Sequence, residues 1–131
     1  MLIKSLEVSK ISILLELELL GLPPTVNNMY RSRRNGIRYK TAATQQYQTY
    51  ATGVIRNAWQ GRAAYGGAVS LDVKFCVRDR RRWDIDNRLK ALQDCLMSGG
   101  VIEDDSQIEE LYVRRERTGE AGTYITLRAL E

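Results

Sequence analysis

Two acidic groups and one lysine are the side chains in this sequence whose types and spacing could do chemistry. Asp84 and Asp86 are one residue apart, Lys90 comes four residues after Asp86, and residues 103–105 read Glu-Asp-Asp. The chain has 131 residues and no histidine, so the usual general base and the imidazole metal ligand are both missing. Oxygen ligands alone select hard divalent cations. The sequence therefore predicts Mg²⁺ as the cofactor, with Mn²⁺ as a substitute.

The same acidic residues also have a structural explanation. Asp84 could cap the N-terminus of a helix, and Asp86 could lie favourably against the helix dipole. Lys90 favours the chemical reading, because on a helix it lies on the same side as Asp86 and away from the predicted leucine stripe. A strand that follows residues 103–105 could also carry that acidic group back beside the start of the helix.

The positive charge of the chain is mainly arginine. Twenty Lys and Arg against sixteen Asp and Glu leave a net charge of +4, and fifteen of the twenty are Arg. The guanidinium fork suits phosphate, which indicates a polyanionic partner, although a solvated surface explains the same balance. The residues that we expect to contact DNA are Arg78, Arg80, Arg81 and Arg82, together with Asn27, Arg31, Arg33, Arg34 and Lys40 in the N-terminal half.

Hydrophobic periodicity predicts six elements. Alternation predicts strands over residues 11–19 and 68–77, and apolar residues spaced by three and four predict a helix over 43–59. Leu89, Leu92 and Leu96 form the buried stripe of a second helix, which ends at Gly99 and Gly100. Residues 108–117 and 123–130 alternate on either side of Thr-Gly-Glu-Ala-Gly, which predicts an antiparallel hairpin.

These elements predict a single compact α+β domain over residues 1–131. We expect a mixed sheet of about four strands with two main helices, in the order strand, helix, strand, helix, strand, strand. Residues 25–42 are rich in arginine and asparagine, and we interpret them as a long basic loop. It could be disordered in the free protein and also contact DNA, since such loops often become ordered on binding. Residues 1–10 either extend the first strand or form an N-terminal extension.

Cysteine usage and hydropathy indicate an intracellular protein. Cys76 and Cys95 form no close-spaced motif and no secretory signal is present, so we expect reduced thiols that pack in the core. The longest apolar run, near residues 13–22, contains Glu16 and Glu18 and is too short to span a bilayer. We expect a cytoplasmic protein of a bacterial host or its phage, with no membrane partner and no small-molecule cofactor.

Two stretches of the sequence carry a resemblance to a known family. Residues 83–108, WDIDNRLKALQDCLMSGGVIEDDSQI, resemble the signature of the RusA family of Holliday junction resolvases, in which D-x-D-N-x-x-K is followed across one helix by D-D-x-Q-[IV]. Residues 22–31, LPPTVNNMYR, are similar to the P-P-[ST]-x-N segment of that family. The likeness extends over residues 17–127.

The resemblance implies a site and an activity. Asp84, Asp86 and Asp105 would be the metal-binding carboxylates and Lys90 the catalytic lysine, while Asp104 would only add negative potential. Asn87 would either orient a ligand or cap the helix. The implied protein is a homodimeric, Mg²⁺-dependent endodeoxyribonuclease that resolves four-way junctions by paired symmetric nicks, in DNA recombination and repair or in phage DNA processing.

Trp83 departs from the family pattern, where some relatives carry another basic residue. It could stack on an unpaired base at the junction centre or pack under the loop that carries the acidic residues. Two other functions stay open at this level. The chain could be a nucleic-acid-binding module without catalysis, or a nuclease that acts on other branched DNA or on RNA.

Overall fold

The computed structural model describes residues 12–130, which form one α+β domain in the predicted order of elements. The strands are β1 (Ile13–Leu20), β2 (Tyr30–Ser32), β3 (Arg38–Lys40), β4 (Val69–Val77), β5 (Ile108–Arg117) and β6 (Gly122–Ala129), and the helices are α1 (Ala42–Trp59) and α2 (Leu89–Ser98). Two short 3-10 turns, Val26–Asn28 and Asp105–Gln107, lie between them. The predicted fold class is confirmed. The expectation for residues 1–10 lies outside the described residues.

The main sheet has four strands in the order β1-β6-β4-β5. β4 pairs with β5 in parallel and with β6 antiparallel, and β6 pairs antiparallel with β1. The predicted hairpin of residues 108–117 and 123–130 is therefore wrong, because β4 lies between those two strands. β4 is the most buried strand of the sheet, since it has a neighbouring strand on each side and the helices cover one of its faces.

Strand β4 carries the centre of the hydrophobic core. Leu71, Val73 and Phe75 are completely buried on the face that the helices cover, whereas Asp72 and Lys74 point to the other face, as predicted. In β1 the alternation holds for Leu15 and Leu19, but a shift in the pairing register between Ile13 and Leu15 leaves Ile13 exposed.

Helices α1 and α2 pack together and contribute to the same core as β4. Ile55 of α1 and Leu92 and Leu96 of α2 are fully buried. A Cβ atom on Gly99, which follows α2, would lie 2.6 Å from Cγ2 of Ile55, so glycine allows this close approach. Gly100 then reverses the chain with a φ of 81°, a conformation that favours glycine.

The basic segment 25–42 is an ordered hairpin and not the long loop that we predicted. β2 and β3 pair antiparallel, with Arg31 opposite Tyr39. Asn35 and Gly36 lie in the turn, where the Asn35 side chain accepts a hydrogen bond from the amide of Ile37 and Gly36 has a φ of 83°. An Asn-Gly pair between short strands is a strong hairpin signal, and the density of arginine obscured it.

The cysteines agree with a further expectation from the sequence. Cys76 and Cys95 are buried free thiols, and burial raises the pKa of Cys95 to about 11, so both residues serve packing. Across residues 12–130, no helix is long and apolar enough to cross a membrane.

Candidate active site

Lys90 joins the two acidic parts of the sequence. Its Nζ atom lies 3.4 Å from Oδ2 of Asp105, in the turn before β5, and 3.1 Å from Oδ1 of Asp94, one helical turn further along α2. The hydrogen bond to Asp94 is the main reason why the pKa of Lys90 is raised, and the contact with Asp105 adds to it. Lys90 is therefore a protonated cation at any physiological pH.

Gln107 holds in place the turn formed by residues 103–107, which we call the acidic turn. Its side-chain oxygen accepts hydrogen bonds from the backbone amides of Glu103 and Asp104 at 2.8 and 3.0 Å. Its side-chain nitrogen donates to the backbone oxygens of Tyr65 and Gly67 at 2.7 and 2.9 Å. Two of the four contacts therefore hold the turn together, and the other two attach it to the segment before β4.

Asp104 and Asp105 have different environments in this turn. The Asp104 carboxylate accepts a hydrogen bond from the amide of Ser106 at 3.0 Å, and hydrogen bonding to Ser106 lowers the pKa of Asp104. Asp104 therefore caps the short 3-10 turn, whereas Asp105 contacts Lys90. Asp104 thus has a structural role in this turn, and the expected role of Asp105 in chemistry stays a prediction.

Asp84 and Asp86 lie on an exposed turn that precedes α2. The backbone oxygens of Asp84 and Asp86 accept hydrogen bonds from the amides of Asn87 and Leu89, and both acidic side chains are exposed. Helix α2 begins at Leu89, and no side chain caps its N-terminus. Neither Asp84 nor Asn87 is therefore a helix cap, and Asp86 precedes the helix, so the predicted shared helix face with Lys90 does not exist.

Trp83 anchors this turn to the domain. Its ring meets Phe75 edge-on at a centroid distance of 5.6 Å, and the guanidinium groups of Arg88 and Arg115 lie 4.7 and 4.8 Å from its centroid. Arg115 also donates a hydrogen bond to the Trp83 backbone oxygen at 2.8 Å. Of the two roles considered for Trp83, the structure shows the packing role.

Arg88 connects the turn to the N-terminal segment. Its guanidinium donates to the backbone oxygen of Pro23 at 2.6 Å, and the amide of Val26 donates to the backbone oxygen of Asn87 at 2.9 Å. Burial lowers the pKa of Arg88. The Pro-Pro-Thr-Val segment is therefore packed against the turn that follows Asp86, so the two stretches that carry the family resemblance are in contact.

The residues that we expect to contact DNA are exposed. Tyr30 and Tyr39 of the hairpin lie beneath Arg38 and Arg33, at 4.5 and 5.3 Å from ring centroid to guanidinium carbon. In the loop after β4, Arg81 pairs with Asp79 at 3.7 Å. The exposed members of the predicted set are Arg78, Arg80, Arg81 and Arg82, with Asn27, Arg31, Arg33, Arg34 and Lys40.

The structure brings together only part of the predicted site. Lys90 and Asp105 are in contact, but within residues 12–130 no group of three or more acidic, cysteine or histidine side chains is close enough to hold a metal ion. The donors match a hard divalent cation in chemistry, since all are carboxylate oxygens. They do not match it in arrangement, because Asp84 and Asp86 are not gathered with Asp105.

Three residues that support the site were not singled out from the sequence. Gln107 was part of the quoted motif without a role, and its position three residues after Asp104 is a capping signal. Asp94 follows Lys90 by four residues, which is a helix-pair signal. Arg115 had no sequence signal, because its contact with Trp83 crosses from one element to another.

Most of this chain is similar to known proteins. Residues 21–128 match the sequence profile of a family described as "Endodeoxyribonuclease RusA". A crossover junction endodeoxyribonuclease RusA of Aquifex aeolicus is 30% identical over 118 residues, covering 89% of this chain and 93% of that protein. The proteins of the same name from Shigella sonnei and Enterobacteria phage HK97 are 34% and 35% identical, over 70% and 73% of this chain and 74% and 78% of their own lengths.

Because this profile covers most of the chain, the protein is classed with a family of endodeoxyribonucleases. This chain belongs to the RusA family.

Proposed function

We propose that this protein is a structure-specific endodeoxyribonuclease that resolves four-way DNA junctions by paired symmetric nicks. The observation that carries the proposal is the contact between Lys90 and Asp105, which joins the two halves of the family motif. The arginines that we expect to contact DNA are exposed in the same domain. The relatives are named crossover junction endodeoxyribonucleases, which supports this choice of substrate over other branched DNA.

The proposed reaction depends on Mg²⁺, with Mn²⁺ as a substitute. Asp84, Asp86 and Asp105 would hold the cation, and their carboxylate chemistry and the lack of histidine support this assignment. Such an ion neutralises charge on a phosphodiester and lowers the pKa of bound water. Because Asp84 and Asp86 are on an exposed turn, their side chains are free to reorient when ion and DNA bind.

Lys90 would stabilise the negative charge that develops on the scissile phosphate or on the leaving oxygen. Its side chain is half exposed, and its raised pKa keeps it charged. A cation that is already held at the site requires little rearrangement during the reaction.

DNA binding would involve the exposed arginines of the β2–β3 hairpin and of the loop after β4. The Pro23 and Val26 contacts to Arg88 and Asn87 attach the segment before the hairpin to the turn that follows this loop. Neutralisation of backbone phosphates by these side chains gives affinity without sequence preference.

Two opposed cuts require two active sites, so we propose a homodimer with twofold symmetry. Strand β5 supports one arrangement. It is an edge strand, and Leu111 and Tyr112 are 43% and 57% exposed. Antiparallel pairing of β5 with its copy about Tyr112 would place Glu110 opposite Arg114 and Leu111 opposite Val113, so opposite charges and apolar residues would meet across the new ladder.

The test is cleavage of a synthetic mobile four-way junction by the purified protein, with Mg²⁺ and with EDTA, beside linear duplex and flap controls of matched sequence. We expect symmetric nicks that require the metal ion and are absent from the duplex. Tight junction binding without cleavage in Mg²⁺ or Mn²⁺ would favour a binding module without catalysis. Preferential cutting of flaps would assign the nuclease another branched substrate.

A further inference from the structure

Asp94 is a carboxylate of the candidate active site that the family motif as quoted above does not assign. Its Oδ1 atom lies 3.1 Å from Nζ of Lys90, closer than Oδ2 of Asp105 at 3.4 Å. The Asp94 side chain is 19% exposed, against 33% for Asp105. Lys90 therefore has its shorter contact with the less exposed carboxylate, which belongs to the same helix.

Helix stability does not explain why an aspartate occupies this position. Aspartate is among the weaker helix formers, and a pair with the basic residue N-terminal to the acidic one is the less favourable orientation. On these grounds α2 gains little from Asp94.

We propose that Asp94 is a positioning residue, which holds the ammonium group of Lys90 beside Asp105 and the acidic turn. This inference rests on the proposed function, because Lys90 is the group that would contact the phosphate. Asp94 itself would not touch the DNA or a metal ion.

Asp94 and Asp105 would have different roles because they lie in different secondary-structure elements. Asp94 is on the regular helix α2, so its distance from Lys90 is set by the helix backbone. Asp105 is in a short turn and more exposed, so it can change partners when DNA binds while Asp94 retains the lysine. Without Asp94, a lysine side chain that is half exposed would sample many rotamers.

The experiment measures single-turnover cleavage of a four-way junction and junction binding for Asp94→Asn, Asp94→Glu, Lys90→Ala and the double variant Lys90→Ala/Asp94→Asn. We expect Asp94→Asn to lower the cleavage rate by about 10- to 100-fold through misplacement of Lys90 and to leave junction affinity unchanged. Asp94→Glu should restore part of the rate. In the Lys90→Ala background, Asp94→Asn should cause no further loss, because the two residues act as one unit.

Asp72→Asn is the matched control, since Asp72 is a partly exposed aspartate on the opposite face of the sheet, 4.0 Å from Arg114. It should cleave at the wild-type rate. The proposal is overturned if Asp94→Asn cleaves like wild type, or if it lowers the rate further when Lys90 is already alanine.

A second measurement separates this inference from the proposed function. Acylation of the Lys90 amine by an amine-reactive reagent, followed by mass spectrometry at one pH, should be faster in Asp94→Asn than in wild type and unchanged in Asp72→Asn. If the wild-type protein cuts no junction, the proposed function fails while faster labelling still supports the positioning contact. Equal labelling in all three proteins refutes that contact.

Discussion

The Nζ atom of Lys90 lies 3.4 Å from Oδ2 of Asp105, fifteen residues further along the chain. Lys90 is in the first turn of α2, and Asp105 begins the 3-10 turn before β5. Because β5 runs parallel to β4, the chain must return along the sheet before β5 can start, and α2 makes this return. The contact therefore joins the start of α2 to the turn that leads into β5, and it depends on the course of residues 99–104 between them.

Replacing Asp86 by Asn tests the proposed metal site. Loss of one charged ligand should lower junction cleavage by about 100- to 1000-fold and leave junction binding largely intact, since the side chain is exposed. The control is Asp72→Asn on the face of the sheet that the helices do not cover, where the carboxylate lies 4.0 Å from Arg114. Unaltered cutting by the Asp86 variant would exclude that residue as a ligand.

Replacing Gln107 by Ala tests the anchor of the acidic turn. Four hydrogen bonds are lost, two of them from the amides of Glu103 and Asp104, and we expect the free energy of unfolding to fall by about 1–3 kcal/mol. Urea denaturation measures this change. Gln45→Ala, which removes one exposed bond to the Lys40 backbone oxygen, should be nearly neutral; equal effects of the two changes would contradict the anchoring role.

Two tyrosines of α1 should respond oppositely to loss of their hydroxyl groups. The Tyr47 hydroxyl is buried without a hydrogen-bond partner in the described structure, and burial raises its pKa. The Tyr50 hydroxyl accepts a bond from the amide of Leu20 at 2.8 Å. Tyr47→Phe should raise the free energy of unfolding by about 1 kcal/mol, and Tyr50→Phe should lower it by about 0.5–1 kcal/mol. Thermal and urea unfolding of both variants measure these changes in the free energy of unfolding. A loss of stability in Tyr47→Phe would indicate that the Tyr47 hydroxyl has a hydrogen-bond partner.

Arg82 tests the proposed DNA surface. Arg82→Ala should weaken junction binding at low salt and reduce by about one the slope of log affinity against log salt, as expected when one phosphate contact is lost. The measurement is a salt titration of junction affinity. Lys74→Ala removes a cation on the opposite sheet face, beside Glu116 and Tyr124, and should leave the slope unchanged. An unchanged slope for Arg82→Ala would exclude Arg82 from the residues that contact DNA phosphates.

A charge exchange on β5 tests the proposed dimer. Glu110→Arg alone would place two cations opposite each other across the new ladder, and Arg114→Glu alone would place two carboxylates opposite each other, so both variants should weaken self-association. The double variant Glu110→Arg/Arg114→Glu restores opposite charges and should recover the dimer. Sedimentation at several protein concentrations measures each state. Dimers that are insensitive to both single changes would place the interface elsewhere.

The sequence by itself determined the elements whose pattern is local. Alternation located β4, the three-and-four spacing located α1 and α2, and the absence of histidine limited the candidate site to carboxylates and Lys90. Each of these features depends on residues within one turn or one strand, where backbone geometry alone sets which side chains share a face. The Asn35-Gly36 turn was also readable in this way, although it was missed.

Only the tertiary structure decided which elements meet. Strand β5 pairs with β4 and not with β6. This pairing depends on which strand is best buried at the centre of the sheet, and the sequence pattern of one strand does not show how well the other strands would be buried there. The contacts of Lys90 with Asp105 and of Trp83 with Arg115 likewise join residues far apart in the chain. Such contacts form only when the whole core is packed, because the free energy that holds them is shared among all the buried residues.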